Sequence, residues 1–75
     1  MLYKVAMINT IKIENRRKKL NITKYRMADK LGMSRQTYYS ILNTKSTTLK
    51  TLEKIASILD LKARDLIIWK IIKSS

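Results

Sequence analysis

The chain has 75 residues, a formal net charge of +12, a single glycine, and no cysteine, histidine or proline. A chain of this length forms one domain with one small core, so we expect residues 1–75 to be a single unit. The composition excludes disulfides, thiolate zinc sites, a Ser-His-Asp triad and a glycine-rich phosphate loop, and with only 5 carboxylates we expect no enzyme, no metal and no other cofactor.

The excess of positive charge predicts a polyanionic partner. Lysine and arginine number 17 against 5 acidic residues, a balance that attracts nucleic acid first and an anionic membrane second. No run of residues approaches the roughly 18 apolar residues of a membrane-spanning helix. Residues 1–9 also lack a secretory cleavage pattern. We therefore expect a cytoplasmic protein without a membrane partner.

Two interpretations are open for residues 1–9, which precede the first helical pattern. In one, the chain begins at Met7 and the residues before it are an extension. In the other, the apolar residues of this segment form an extra strand or pack on the last helix: Leu2, Tyr3, Val5 and Ile8.

The first helix is predicted over residues 10–20. Ile13, Arg17 and Leu20 recur at i, i+4 and i+7 and therefore share one face of a helix. The basic run at 16–19 surrounds that face. We interpret this run as a solvated surface that adds to the long-range attraction of a polyanion.

Two short helices follow, joined by a tight turn. Thr23 is a typical N-cap for a helix over 24–31, and Gly32 follows at the point where a left-handed residue ends a helix. Glycine is expected at this turn because a side chain would clash in the left-handed conformation. Ser34 is the N-cap of the next helix, over 35–42.

The third helix has an apolar face and a polar face. Tyr38 and Ile41 are expected to point inward and to attach the helix to the body of the protein. The opposite face is then free to enter a DNA major groove, which is wide enough for one helix. That face carries Arg35, Gln36, Tyr39 and Ser40.

Two further helices are predicted after a polar loop at 43–47. Thr47 or Thr48 caps a fourth helix that ends near Asp60, and a last helix begins near Ala63. The fold class is therefore all-α, with five helices. The last helix has more apolar residues than one face can bury, and the excess is a candidate dimer contact: Ile68, Trp69, Ile71 and Ile72. An equal alternative for Trp69 is that it covers the first helix, and residues 1–8 are another candidate dimer contact.

Residues 23–42, TKYRMADKLGMSRQTYYSIL, resemble the helix-turn-helix of the phage repressor and Cro family, the XRE-type regulators. The similarity extends into the flanking helices. Arg17 matches the usual arginine of the family's first helix, and the downstream similarity continues to Leu66. With the whole first helix included, the resemblance covers about residues 10–67. The resemblance implies a compact five-helix bundle of the lambda-repressor-like type, with the helix-turn-helix at helices 2 and 3. It also implies a bacterial, phage or mobile-element regulator that binds double-stranded DNA in a sequence-specific manner.

The resemblance further implies which residues contact DNA. The base-reading positions of the family fall on Arg35, Gln36, Tyr39 and Ser40. Arginine can bond two acceptors of guanine, and glutamine can bridge the donor and acceptor of adenine. The phosphate-contacting positions of the family fall on Lys24, Ser34, Lys45, Ser46, Thr47 and Lys50.

The sequence departs from the family pattern at the end of the recognition helix. Relatives usually have a glutamate there, which often pairs with the first-helix arginine, but this chain has Leu42. Arg17 must therefore find another carboxylate or a carbonyl, or lie exposed. The usual glutamine at the start of helix 2 is Lys24, a change that strengthens the attraction to phosphate.

One recognition helix reads only a few base pairs, and relatives bind as twofold dimers on half-sites ~34 Å apart. We therefore expect a small repressor that binds an operator as a homodimer. An alternative is the antitoxin of a toxin–antitoxin pair, which binds its operator and a toxin partner through the C-terminal helix. From another class, the alternatives are a helical protein-interaction module and a basic membrane-active helix, which the short capped helices disfavour.

Overall fold

The computed structural model describes residues 4–68. Within this range the chain has four α-helices, two short strands and one 3₁₀ turn, and no helix among these residues is long and apolar enough to cross a membrane. The elements in chain order are β1 (Lys4–Ala6), α1 (Thr10–Lys19), α2 (Lys24–Leu31), α3 (Arg35–Thr44), β2 (Ser46–Thr48), α4 (Leu49–Ile58) and the 3₁₀ turn (Ala63–Leu66).

Each of the four described helices begins at a side-chain cap and ends before a left-handed residue. The caps accept a hydrogen bond from the amide three residues later, and they are Asn9, Thr23, Ser34 and Thr48. The residues with φ between +55° and +70° that follow the helices are Asn21, Gly32, Lys45 and Asp60. The backbone bonds after α1, α2 and α4 have the Schellman pattern, in which two amides beyond the helix bond to carbonyls of its last turn.

The predicted bounds of α2 are confirmed, and α1 and α4 end within two residues of the predicted positions. The third helix continues past Leu42 to Thr44, so residues 43 and 44 are helical and do not belong to a loop. Two local bonds explain the extension. The hydroxyl of Thr44 donates to the Ser40 carbonyl at 2.8 Å, and the amide of Lys45 donates to the Ile41 carbonyl at 2.8 Å.

The predicted fifth helix is not formed in the described residues. Ala63–Leu66 is a 3₁₀ turn, and Ile67 is extended with φ −101° and ψ 130°. Two β-branched residues in succession favour an extended chain once a partner strand is present, and Ile67 has a partner in Ile8, with which it forms an antiparallel bridge. Trp69, Ile71 and Ile72 of the candidate dimer contact lie outside the described residues.

A two-stranded antiparallel sheet adds to the helices, so the fold is mainly but not purely helical. Strand β1 pairs with β2 in the register Lys4 with Thr48, Val5 with Thr47 and Ala6 with Ser46. Of the residues proposed for an extra strand, Val5 lies in β1 and Ile8 forms an isolated bridge with Ile67, whereas Leu2 and Tyr3 lie outside the described residues. The segment also ties two distant parts of the chain together, because the Ile8 amide donates to the Lys45 carbonyl at 3.1 Å and the Asn9 amide donates to the Leu66 carbonyl at 2.6 Å.

One hydrophobic core connects the elements. It receives side chains from all four helices, from the N-terminal segment and from the 3₁₀ turn, and Tyr38 contributes the largest fully buried side chain. The burial of Tyr38 and Ile41 fixes which face of α3 is turned outward. The fully buried members are Ile8, Ile13, Met27, Tyr38, Leu52, Ile55, Leu59 and Leu66.

Candidate nucleic-acid interface

The turn between α2 and α3 is formed by Gly32, Met33 and Ser34. Gly32 has φ +70°, and its amide and that of Met33 donate to the carbonyls of Asp29 and Ala28, both at 3.0 Å. A Cβ atom built on Gly32 meets nothing within 4 Å. Glycine is therefore favoured by the backbone conformation alone and not by a crowded neighbour.

The outer face of α3 is the most direct candidate for DNA contact. Its four predicted base-reading side chains are all exposed, whereas Tyr38 and Ile41 on the inner face are buried. The structure therefore brings together every residue that was predicted to read bases: Arg35, Gln36, Tyr39 and Ser40.

Two cation–π contacts cross between α3 and the start of α2. The Lys24 ammonium lies 5.2 Å from the centroid of the Tyr39 ring, and the Arg35 guanidinium carbon lies 5.3 Å from that of Tyr25. Sequence reasoning did not identify Tyr25. Its separation from Arg35 corresponds to no helical period, and only the packing of α2 against α3 brings the two side chains together.

Five of the six predicted phosphate contacts are accessible. Lys24, Lys45 and Lys50 are exposed, as is Ser34, and Ser46 is half-buried in β2. The Ser34 hydroxyl is already bonded to the Thr37 amide at 3.1 Å and to the Thr37 hydroxyl at 2.9 Å. The exception is Thr47, which is 8% exposed and pairs with Val5 in the sheet.

Two open grooves with mixed polar and apolar linings adjoin the outer face of α3. One lies between the start of α2 and the outer face of α3, where Lys24 adjoins Gln36, Tyr39 and Asn43. The second runs from α3 across β2 to the start of α4. Its polar lining residues are Gln36, Thr37, Ser40, Thr44, Ser46, Thr47, Thr48 and Thr51.

The structure shows which groups pair with Arg17, a question that the sequence did not answer. Arg17 is 6% exposed, and its guanidinium forms a bidentate pair with Glu14, with Nε 2.9 Å from Oε2 and Nη2 3.0 Å from Oε1. Its Nη1 donates to the Ile22 carbonyl. Glu14 is contacted by two more groups, since the Tyr38 hydroxyl donates to Oε2 at 2.9 Å and the Lys24 ammonium lies 3.7 Å from Oε1.

The Glu14 cluster, defined as Glu14, Arg17, Lys24 and Tyr38, favours the ionised forms of Glu14 and Arg17. Burial of Glu14 disfavours its ionised form, but the hydrogen bonds from Arg17 and Tyr38 and the nearby positive charges outweigh burial and lower the pKa of Glu14 below its ordinary 4.5. The hydrogen bond to Glu14 raises the pKa of Arg17. Burial, followed by the bond to Glu14, raises the pKa of the Tyr38 hydroxyl. The cluster connects α1 to α2 and α3 through fixed charges.

A family model described as helix-turn-helix matches residues 13–66, which is more than half of the chain. The chain therefore belongs to the XRE-type helix-turn-helix family of phage repressor and Cro-like proteins. It is a DNA-binding transcriptional regulator, and its ligand is double-stranded DNA. No curated protein and no solved structure gave a significant match to the chain.

Proposed function

We propose that this regulator is a small repressor that binds an operator as a homodimer, with α3 in the major groove. The outer face of α3 is the observation that carries the proposal. It is a polar helix face exposed to solvent, and its opposite side is fixed in the core by Tyr38 and Ile41. A DNA-bound body of this kind represses by occupying the promoter.

Base recognition is assigned to four residues of α3. Arg35 bonds to O6 and N7 of a guanine, and Gln36 bonds to N6 and N7 of an adenine. Tyr39 contacts a thymine methyl group or a sugar, and Ser40 contacts an adjacent base edge. All four are exposed in the free protein, so DNA reaches them without any change in the core.

Phosphate contacts hold α3 in register with the bases. Lys24 at the start of α2 and Ser34 at the start of α3 bind the backbone on one side of the groove, with the amides of the helix N-termini favouring the anion. On the other side, Lys45, Ser46 and Lys50 contact the neighbouring backbone. Thr47 is not one of the proposed phosphate contacts, because its side chain is buried.

A homodimer supplies the affinity that one recognition helix lacks. Two copies of α3 on half-sites ~34 Å apart would read twice the sequence. Ile68, the one residue of the candidate dimer contact among the described residues, is 37% exposed and therefore accessible to a second copy. The proposal predicts a dimer of an 8.8 kDa chain by analytical ultracentrifugation.

Binding-site selection from random duplex DNA tests the proposal in one experiment. We expect a twofold-symmetric consensus with half-sites about one helical turn apart. Arg35→Ala should weaken binding to that consensus by about 1–3 kcal/mol and relax the preference at one base pair. Equal loss on the consensus and on random DNA would contradict base reading by Arg35, and the absence of any consensus would overturn sequence-specific binding.

A further inference from the structure

Tyr25 has no part in the function proposed above, yet it lies beside the residue assigned to guanine. It occupies the second position of α2 and is 61% exposed. The Arg35 guanidinium carbon is 5.3 Å from the centroid of the Tyr25 ring, within cation–π range. A large aromatic ring therefore contacts the most versatile base-reading side chain of α3 from the neighbouring helix.

We propose that Tyr25 is a positioning residue for base recognition, which orients the Arg35 guanidinium toward the major groove before DNA arrives. The proposal rests on the proposed entry of α3 into that groove. Cation–π attraction of a guanidinium to the face of a ring uses none of its N–H donors in a hydrogen bond. Tyr25 therefore contacts Arg35 without competing for the donors that a guanine would accept.

No other described group fixes the direction of Arg35. Within residues 4–68 the salt bridges join Arg17 and Lys24 to Glu14, and none involves Arg35. An arginine that is free to rotate loses several rotamers when it binds, and this loss weakens binding. A side chain already ordered by Tyr25 loses fewer.

The second cation–π pair, Lys24 with Tyr39, differs from the first because its cation also has an acidic partner. Lys24 lies 5.2 Å from the Tyr39 ring, but it is also 3.7 Å from the Glu14 carboxylate. The direction of the Lys24 side chain is therefore set by the Glu14 carboxylate as well as by the Tyr39 ring. Of the two cations, Arg35 is the one whose orientation depends on an aromatic partner alone.

Two substitutions of Tyr25 distinguish the contribution of the ring to DNA binding from that of the hydroxyl. Tyr25→Leu removes the ring and keeps an apolar side chain, whereas Tyr25→Phe keeps the ring and removes the hydroxyl. We expect Tyr25→Leu to raise the Kd for the selected operator about tenfold, the effect of ordering one rotamer-rich side chain, and to leave the Kd for random duplex unchanged. Tyr25→Phe should bind both DNAs as the unchanged protein does. Equal weakening by both variants on both DNAs would instead indicate a backbone contact by the hydroxyl and would overturn the proposal.

A double-mutant cycle tests whether Tyr25 acts through Arg35. In the Arg35→Ala background, Tyr25→Leu should cause no further loss of operator binding, because its target is gone. If the double variant instead lost operator affinity by the product of the two single losses, the two residues would act independently, which would contradict a positioning role for Tyr25. Lys30→Ala on the exposed surface of the same helix is the control, and it should not lower operator preference in either background.

The free protein provides a readout that needs no DNA. Ring currents from Tyr25 should shift the Arg35 side-chain proton resonances upfield, and the shift should persist in Tyr25→Phe and vanish in Tyr25→Leu, with the melting temperature unchanged. Absence of the shift in the unchanged protein would refute the contact. If selection yields no operator, the proposed function fails together with this inference. If an operator emerges and Tyr25→Leu binds it normally, the inference alone fails.

Discussion

Glu14 performs a task that relatives usually give to a glutamate at the end of the recognition helix. In this chain that position is Leu42, and the carboxylate for Arg17 comes from the same helix, three residues earlier. The pair has the i, i+3 spacing of neighbours on a helix surface. That spacing is visible in the sequence and was the available signal for this partner. The bond from Tyr38, 24 positions away, left no such signal.

Glu14→Gln should destabilise the fold by about 1–3 kcal/mol, because it leaves the nearly buried guanidinium of Arg17 without a carboxylate. Urea denaturation followed by circular dichroism measures the change in the free energy of unfolding. Glu53→Gln is the matched control, since the same substitution on the exposed surface of α4 should alter stability by less than about 0.5 kcal/mol. Equal losses in the two variants would show that the pairing of Glu14 contributes nothing particular.

The lowered pKa of Glu14 also predicts how stability depends on pH. A carboxylate with a folded pKa below its unfolded value stabilises the fold above the unfolded value, which is 4.5 here, and this stabilisation is lost as pH falls through the folded pKa. Unfolding free energies measured from about pH 6 to about pH 2 should therefore fall in the acid range, and the fall should be smaller in Glu14→Gln. Identical acid profiles for the two proteins would contradict the assignment.

The helix ends are the best-predicted elements, because their signals are local. Thr23, Ser34 and Thr48 act as the caps that the sequence indicated, and α2 spans the predicted residues. Lys45 was not recognised as a helix-ending residue, since lysine is not typical of the left-handed conformation that it adopts. The end of α3 was therefore placed two residues too early.

Gly32→Ala should cost about 1–2 kcal/mol of stability, the penalty for a side chain in a left-handed conformation. No clash adds to this penalty, because the space around the Cβ position is empty. Gly32→Asn should cost less, since asparagine adopts this conformation more readily. Thermal unfolding of the three proteins tests the order. If Gly32→Asn lost as much stability as Gly32→Ala, the cause would be crowding around the side chain, and the explanation from backbone conformation would be wrong.

Across the whole molecule, the positive charge is distributed unevenly. No carboxylate occurs between Asp29 and Glu53, the stretch that contains α3, β2 and the start of α4. The acidic residues beyond it lie on α4 and the segment that follows: Glu53, Asp60 and Asp65. The stretch of sequence that contains the recognition helix thus has cations and no acids, and Glu14 is a carboxylate that lies near Lys24.

Lys45→Ala should weaken binding to the operator and to random DNA alike, because a phosphate contact does not depend on sequence. The slope of log K against log salt concentration should become less negative by about 0.9, the value for one phosphate contact. Lys54→Ala removes the same charge from α4 outside the predicted contact set and should leave the slope nearly unchanged. An unaltered slope in Lys45→Ala would remove this lysine from the phosphate contacts.

The sequence by itself determined the helix-turn-helix, its caps, its glycine and the outward face of α3. These features depend on residues within a turn or two of one another, whose conformational preferences act locally. The exposure of the residues predicted to read bases also follows from periodicity, because burying Tyr38 and Ile41 turns the other face of the helix to solvent.

The tertiary structure alone decided which distant segments meet. Four contacts each join residues from separate elements: the pairing of β1 with β2, the bridge between Ile67 and Ile8, the bond from Tyr38 to Glu14, and the cation–π contact between Arg35 and Tyr25. Their energies depend on a partner that local sequence does not specify. For this reason the described part of the last predicted helix is a 3₁₀ turn followed by the extended Ile67, and the neighbour of Arg35 was seen only in the folded chain.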